Sequence, residues 1–99
     1  MEIKQLQRED ARWKMLRVID AGRPVGVNES IIHRVLSDLS LPFSQADLRR
    51  ELAYLRDLGL IELGEADGEQ FAKVTAAGVA VVEYAAAAPA GVARPAKVA

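Results

Sequence analysis

Leu52-Ala53-Tyr54-Leu55-Arg56-Asp57-Leu58-Gly59-Leu60-Ile61-Glu62-Leu63 changes period at its middle. Upstream, Leu48, Leu52, Leu55 and Leu58 recur at helical spacing and line one face of a helix. Gly59 then stands where a helix closes on a residue of positive φ. Beyond it, Leu60 to Glu65 and Glu69 to Val74 are short β-prone runs on either side of Ala66-Asp67-Gly68-Glu69. Asp-Gly between two such runs is a strong hairpin signal, because the tight turn needs positive φ at its central residues. A two-residue turn at Asp67-Gly68 sets the register. Ile61 then opposes Val74 and Leu63 opposes Ala72 on one apolar face. Glu62 opposes Lys73 on the other, a favourable cross-strand charge pair.

Working upstream, Ser44 and Asp47 have capping-box spacing, with Asp in place of the better Glu or Gln, so the helix spans 44–58. Before it, Ile31, Ile32, Val35, Leu36 and Leu39 form an apolar stripe that ends near Ser40, and Pro42 confirms the break. Asn28 is a good N-cap for this helix, and Glu29 sits favourably against the positive end of its dipole. Trp13, Leu16 and Ile19, widened by Met15 and Val18, mark a first helix within Leu6 to Ala21, stopped by Gly22 and Pro24. Pro24 to Val27 reads as a short extended segment. Downstream of the hairpin, Thr75 can cap a fourth helix running to about Ala88. Pro89, Gly91 and Pro95 mark a flexible tail.

The order is helix, short strand, helix, helix, hairpin, helix. A tight helix pair followed at once by a hairpin is the winged helix-turn-helix arrangement, mainly α with a small β-hairpin. In that arrangement the short extended segment often pairs with the wing. Residues 1–88 are expected to form the domain and 89–99 the tail. There is no internal repeat.

With 99 residues the chain is one domain, and its formal net charge of -1 lacks the basic excess usual for a domain devoted to nucleic acid. A local basic patch remains compatible with that balance. There are no cysteines, which removes disulfides and thiolate metal sites and fits a reducing compartment. Met1 to Asp10 carries both signs of charge with no apolar run after it, unlike a signal peptide. Ala76 to Ala93 is too weakly hydrophobic and too interrupted, by Glu83 and Pro89, to span a bilayer. The expected location is the cytoplasm of a bacterial host.

Two resemblances emerge from these residues. Leu55 to Ile61, the hairpin, and Val74-Thr75-Ala76-Ala77-Gly78 resemble a pattern that recurs in many bacterial winged-helix regulators. That match covers roughly the second half of the chain and speaks to fold, not function. Over most of its length the chain also resembles a family of small proteins of Mu-like transposable phages and prophages. The features are the early helix, the Asn28-Glu29-Ser30 opening, the Ser44 to Leu58 helix, the wing, and Gly91-Val92-Ala93-Arg94-Pro95. That resemblance implies a phage setting. It carries over no catalytic residue, because the family has none assigned.

The candidate site is the outward face of the 44–58 helix, where a winged helix enters the major groove. Arg49, Arg50 and Ala53 point outward, with Gln45 and Arg56 toward one edge. Arginine forks read guanine or clamp phosphate, and Gln can pair with adenine. Against this, Asp47, Glu51 and Asp57 cancel the three arginines. In the wing, Glu62, Glu65, Asp67 and Glu69 outnumber Lys73, which disfavours laying it on phosphates. Helix one mixes Lys4, Arg8, Arg12, Lys14 and Arg17 with Glu2, Glu9, Asp10 and Asp20, an ordinary salt-bridged surface. The apolar surface of the fourth helix, with Val79, Val82 and Ala86, is the candidate homodimer interface, to which Tyr84 and Trp13 could add.

His33 has no second ligand at i+4 and reads as a surface or packing residue. There is no phosphate-binding Gly-rich loop and no nucleophile-and-base constellation, so no enzyme, cofactor or metal is expected. The two functional expectations are a phage-encoded winged-helix protein that binds double-stranded DNA, such as a transcriptional regulator, and a winged-helix module that binds a phage or host protein in assembly or DNA packaging.

Overall fold

Each helix after the first begins at a capping side chain that the sequence marks. The computed structural model describes residues 3–97; Met1, Glu2, Val98 and Ala99 lie outside them. The order is α1 (Ile3–Ala21), β1 (Val27–Asn28), α2 (Glu29–Asp38), α3 (Gln45–Asp57), β2 (Ile61–Ala66), β3 (Glu69–Val74) and α4 (Ala76–Val82). Asn28 Oδ1 accepts from the Ile31 amide at 3.3 Å, Ser44 Oγ from Asp47 at 3.1 Å, and Thr75 Oγ1 from Gly78 at 3.1 Å. Each bond satisfies an amide that the first helical turn leaves free.

The strands form one antiparallel sheet in the order β1-β3-β2. The hairpin register pairs Ile61 with Val74, Glu62 with Lys73 and Leu63 with Ala72, as the Asp67-Gly68 turn requires. Asp67 and Gly68 both take positive φ, 54° and 81°. The extended segment before α2 adds β1, with Val27 opposite Ala72. Met15, Leu16 and Ile19 of α1 meet Ile32, Leu36, Leu48, Leu52, Leu55 and Ile61 in one core. Among the described residues no helix is long and apolar enough to cross a membrane.

Two expectations change. Leu58 is no inward rung of α3 but its C-cap, 36% exposed, because Gly59 turns the chain away at φ 78°. The fourth helix stops at Val82, well short of Ala88. Tyr84 takes φ 62° and its neighbour Ala85 donates back to the Ala80 carbonyl, a left-handed helix stop. Tertiary contacts hold that stop against the helical preference of the alanines. The Tyr84 ring meets Trp13 edge-on at 6.3 Å, its hydroxyl donates to the Pro95 carbonyl, and Arg94 lies over its face. Residues 89–97 run back over α1, with Val92 buried and the Ala93 amide bonded to the Glu9 carbonyl.

The Val74-Thr75-Ala76-Ala77-Gly78 stretch has a structural cause. Thr75 caps α4 and also donates its hydroxyl to the Gly59 carbonyl at 2.7 Å, tying the start of α4 to the end of α3. A Cβ at position 78 would strike the Leu60 carbonyl oxygen. Thr75→Ala is therefore expected to lower stability by about 1 kcal/mol, read by urea denaturation. Thr75→Ser, which keeps both bonds, should lose less.

Candidate nucleic-acid interface

α3 is held by its buried arc of Leu48, Leu52 and Leu55, so Ala46, Arg50 and Asp57 face solvent and Ala53 is half-buried. Gln45 is exposed at its first turn. The three arginines of this surface differ sharply in how freely they can act. Arg49 is clamped: its Nε and Nη2 donate to the two carboxylate oxygens of Glu29 at 2.9 and 2.6 Å. Glu29 is 4% exposed and also accepts from the Gln70 amide at 2.8 Å. The paired Arg49 guanidinium holds the Glu29 carboxyl down to about 2, helped by the Gln70 amide and Gln45. The same carboxylate raises the Arg49 pKa.

Glu29 stands in the first turn of α2, as expected, and is also a three-way joint between α2, α3 and β3. The adjacent Ser30 amide is taken by Glu69 of the hairpin at 3.0 Å. If Arg49 turned to a base, it would leave a buried carboxylate without its cation. Its role here is to position α3 and the hairpin.

Arg50 and Arg56 are freer. Arg50 pairs with Asp47 at 2.8 Å and its side chain is 62% exposed; Arg56 pairs with its neighbour Asp57 at 3.2 Å and is 51% exposed. Exposed pairs of this kind contribute little and exchange readily for other anions. The Ser44 hydroxyl bond, then Arg50, keeps the Asp47 carboxyl below its ordinary range.

Arg50 also belongs to a cluster that sequence reasoning missed. It lines a shallow cleft of about 290 Å³ with Lys4, Gln7 and Arg8 of α1, Pro42, Phe43 and Asp47. Three cations face one carboxylate there, and no residue of the acidic hairpin lines the cleft. The signal was present as Lys4 and Arg8, four residues apart on one face of α1. Their meeting with Arg50 depends on how α1 crosses α3.

A second cluster lies deeper. Arg12 Nε donates to Glu51 Oε1 at 2.7 Å, both residues being buried. Arg12 Nη1 reaches the Gly91 carbonyl at 3.0 Å, and its guanidinium lies 3.7 Å over the Tyr54 ring. Sequence reasoning counted both residues as surface charge. The available signal was position: Arg12 shares the arc of Leu16 and Ile19, and Glu51 falls among Leu48, Leu52 and Leu55.

The hairpin surface is acidic. Glu62, Glu65 and Asp67 are exposed, and Lys73 is its cation. His33 Nε2 lies 2.5 Å from the Phe43 carbonyl, which can only accept, so that nitrogen carries the proton and joins α2 to the turn before α3. On α4, Val79 and Val82 are half-buried against their own domain, and Ala86 lies beyond the helix end. The three therefore do not share one helical face. Among the described residues no group of three His, Cys, Asp or Glu side chains could hold a metal ion. Comparison with known proteins finds no matching family model, no matching characterised protein and no matching solved structure.

Proposed function

We propose that this chain is a winged-helix protein that binds duplex DNA through α3 and the N-terminal half of α1, with the wing held off the backbone. The observation that carries this reading is the cleft where Lys4, Arg8 and Arg50 face a single carboxylate, Asp47. Phosphates passing over that cleft would meet three cations, while α3 lies toward the major groove. Ala46 and Ala53 flank Arg50 with small side chains, which permits close approach to a groove floor. Gln45 and Arg56 supply further donors at the edge of the same helix. The setting in a Mu-like phage and a role as a regulator belong to this proposal and rest on sequence resemblance.

Binding of this kind is carried by phosphate contacts, so it weakens as salt rises. Arg8→Ala with Arg50→Ala is expected to weaken binding to a labelled duplex and to lower the slope of log K against log salt by about 2, at ~0.9 for each lost contact. Glu65→Lys in the wing should strengthen binding. Anisotropy titrations between about 50 and 200 mM salt measure both effects. A wild-type chain with no salt-dependent affinity for any duplex ends this reading.

The acidic wing favours a second reading, a module that binds a basic face of a phage or host protein. Under it, Glu62→Lys with Glu65→Lys abolishes partner capture and leaves DNA affinity at background.

A further inference from the structure

We propose that α2 is a homodimerisation helix, on which a second copy of this chain docks antiparallel about a two-fold axis at Val35. Ile31 and Leu39 are large apolar side chains left 51% and 46% exposed, and Val35 between them is half-buried. Their spacing of four residues makes a continuous ridge beside the core-facing Ile32 and Leu36. The apolar surface continues onto α1. A shallow depression of about 300 Å³ there is lined by Lys14, Arg17, Val18 and Ala21 together with Leu39.

A two-fold at Val35 sets Ile31 of one copy opposite Leu39 of the other, beside this depression, and the contact occurs twice. An isologous interface demands such self-complementarity. The charges agree with it. Arg34 and Asp38 are both exposed on one flank of the ridge, and neither makes an ion pair among the described residues. In an antiparallel two-fold pair each flank meets the same flank of the partner. With ~1.5 Å of rise per residue, Arg34 of one copy then falls about 3 Å along the axis from Asp38 of the other. The two Arg34 side chains also fall about 3 Å apart along the axis, bracketed by the two Asp38 carboxylates, so the shared flank carries a four-charge cluster with no net charge. A parallel two-fold would instead turn the two Arg34–Asp38 flanks to opposite sides of the contact, where they cannot meet. This face shares no residue with the α1–α3 cleft, so the inference stands apart from the DNA reading.

The contact uses essentially one helix per copy and is smaller than the ~800 Å² per partner of a standard interface, so a micromolar dissociation constant is expected. Sedimentation velocity on the full chain over a wide concentration range, without DNA, tests it. Wild type should pass from monomer to dimer. Ile31→Lys should weaken the dimer at least ~10-fold, which is about 1.4 kcal/mol. Arg34→Asp should also weaken it, and Arg34→Asp with Asp38→Arg should restore it. Ala86→Glu should leave it unchanged. A wild type that stays monomeric, an Ile31→Lys chain that dimerises like wild type, or a double charge swap that fails to restore association overturns the proposal.

Discussion

Arg12→Met is expected to cost about 3–5 kcal/mol, the range for breaking a buried ion pair from one side. The loss comes mainly from what stays behind. Glu51 is 1% exposed, and its Oε2 makes no hydrogen bond; Arg50 Nε lies 3.6 Å from that oxygen. Without Arg12, a carboxylate on the leucine arc of α3 would face the core with one exposed arginine in partial reach. The Gly91 carbonyl would lose its donor, and Tyr54 would lose the guanidinium that covers its ring. Tyr54 also donates to the Ala90 carbonyl at 3.2 Å, so the damage reaches the returning segment as well. A small domain has only about 5–15 kcal/mol of net stability, so this one change removes a large share. Urea denaturation should show the midpoint falling steeply, and limited proteolysis should cut sooner near Gly91. Arg12→Met with Glu51→Leu should recover most of the loss, because an apolar pair of similar volume carries no desolvation cost. A single variant within ~1 kcal/mol of wild type would mean that Glu51 finds water or Arg50 as an adequate substitute.

The features legible from sequence are those whose causes are local. Asn28, Ser44 and Thr75 each cap the helix that follows because the donor lies three residues away in the chain. Asp67-Gly68 sets the hairpin register because the turn alone determines which residues face each other. The helix end at Tyr84 was not legible. Ala85 to Ala88 favour continued helix, and what stops them is the Tyr84 ring packed on Trp13, 71 residues earlier in the sequence. The candidate site divides in the same way. The outward placement of Arg50 and Arg56 follows from helical periodicity. The capture of Arg49 by Glu29 does not, since their meeting depends on the angle between α2 and α3. Charge counting treated all acidic and basic residues as surface. The three buried ones, Arg12, Glu29 and Glu51, each sit on the apolar arc of their helix, where periodicity could have singled them out.

The same division predicts how stability responds to acid. Glu29 has an ordinary value of 4.5 and is held at about 2 in the folded chain. A carboxylate depressed by folding contributes stability that is fully present above its unfolded value and is lost as pH falls through its folded one. The window is therefore from about pH 5 down to about pH 2. Glu29→Gln keeps an acceptor for the Gln70 amide but removes the charge that binds Arg49. At pH 7 it should cost on the order of 2 kcal/mol, less than the shift alone would imply, because Arg49 is 42% exposed and is resolvated by water once freed. The difference between wild type and variant should shrink steadily below pH 5 and nearly vanish by pH 2, where wild-type Glu29 begins to protonate and the unfolded chain has already done so. Urea midpoints at a series of pH values measure this directly. A difference that stays constant across the window would mean that it does not come from the Glu29 charge, and would overturn this account. The Asp47 carboxyl is also held below its ordinary range, by the Ser44 hydroxyl and then by Arg50. The comparison must therefore be made between chains that both retain Asp47, and Glu29→Gln satisfies that condition.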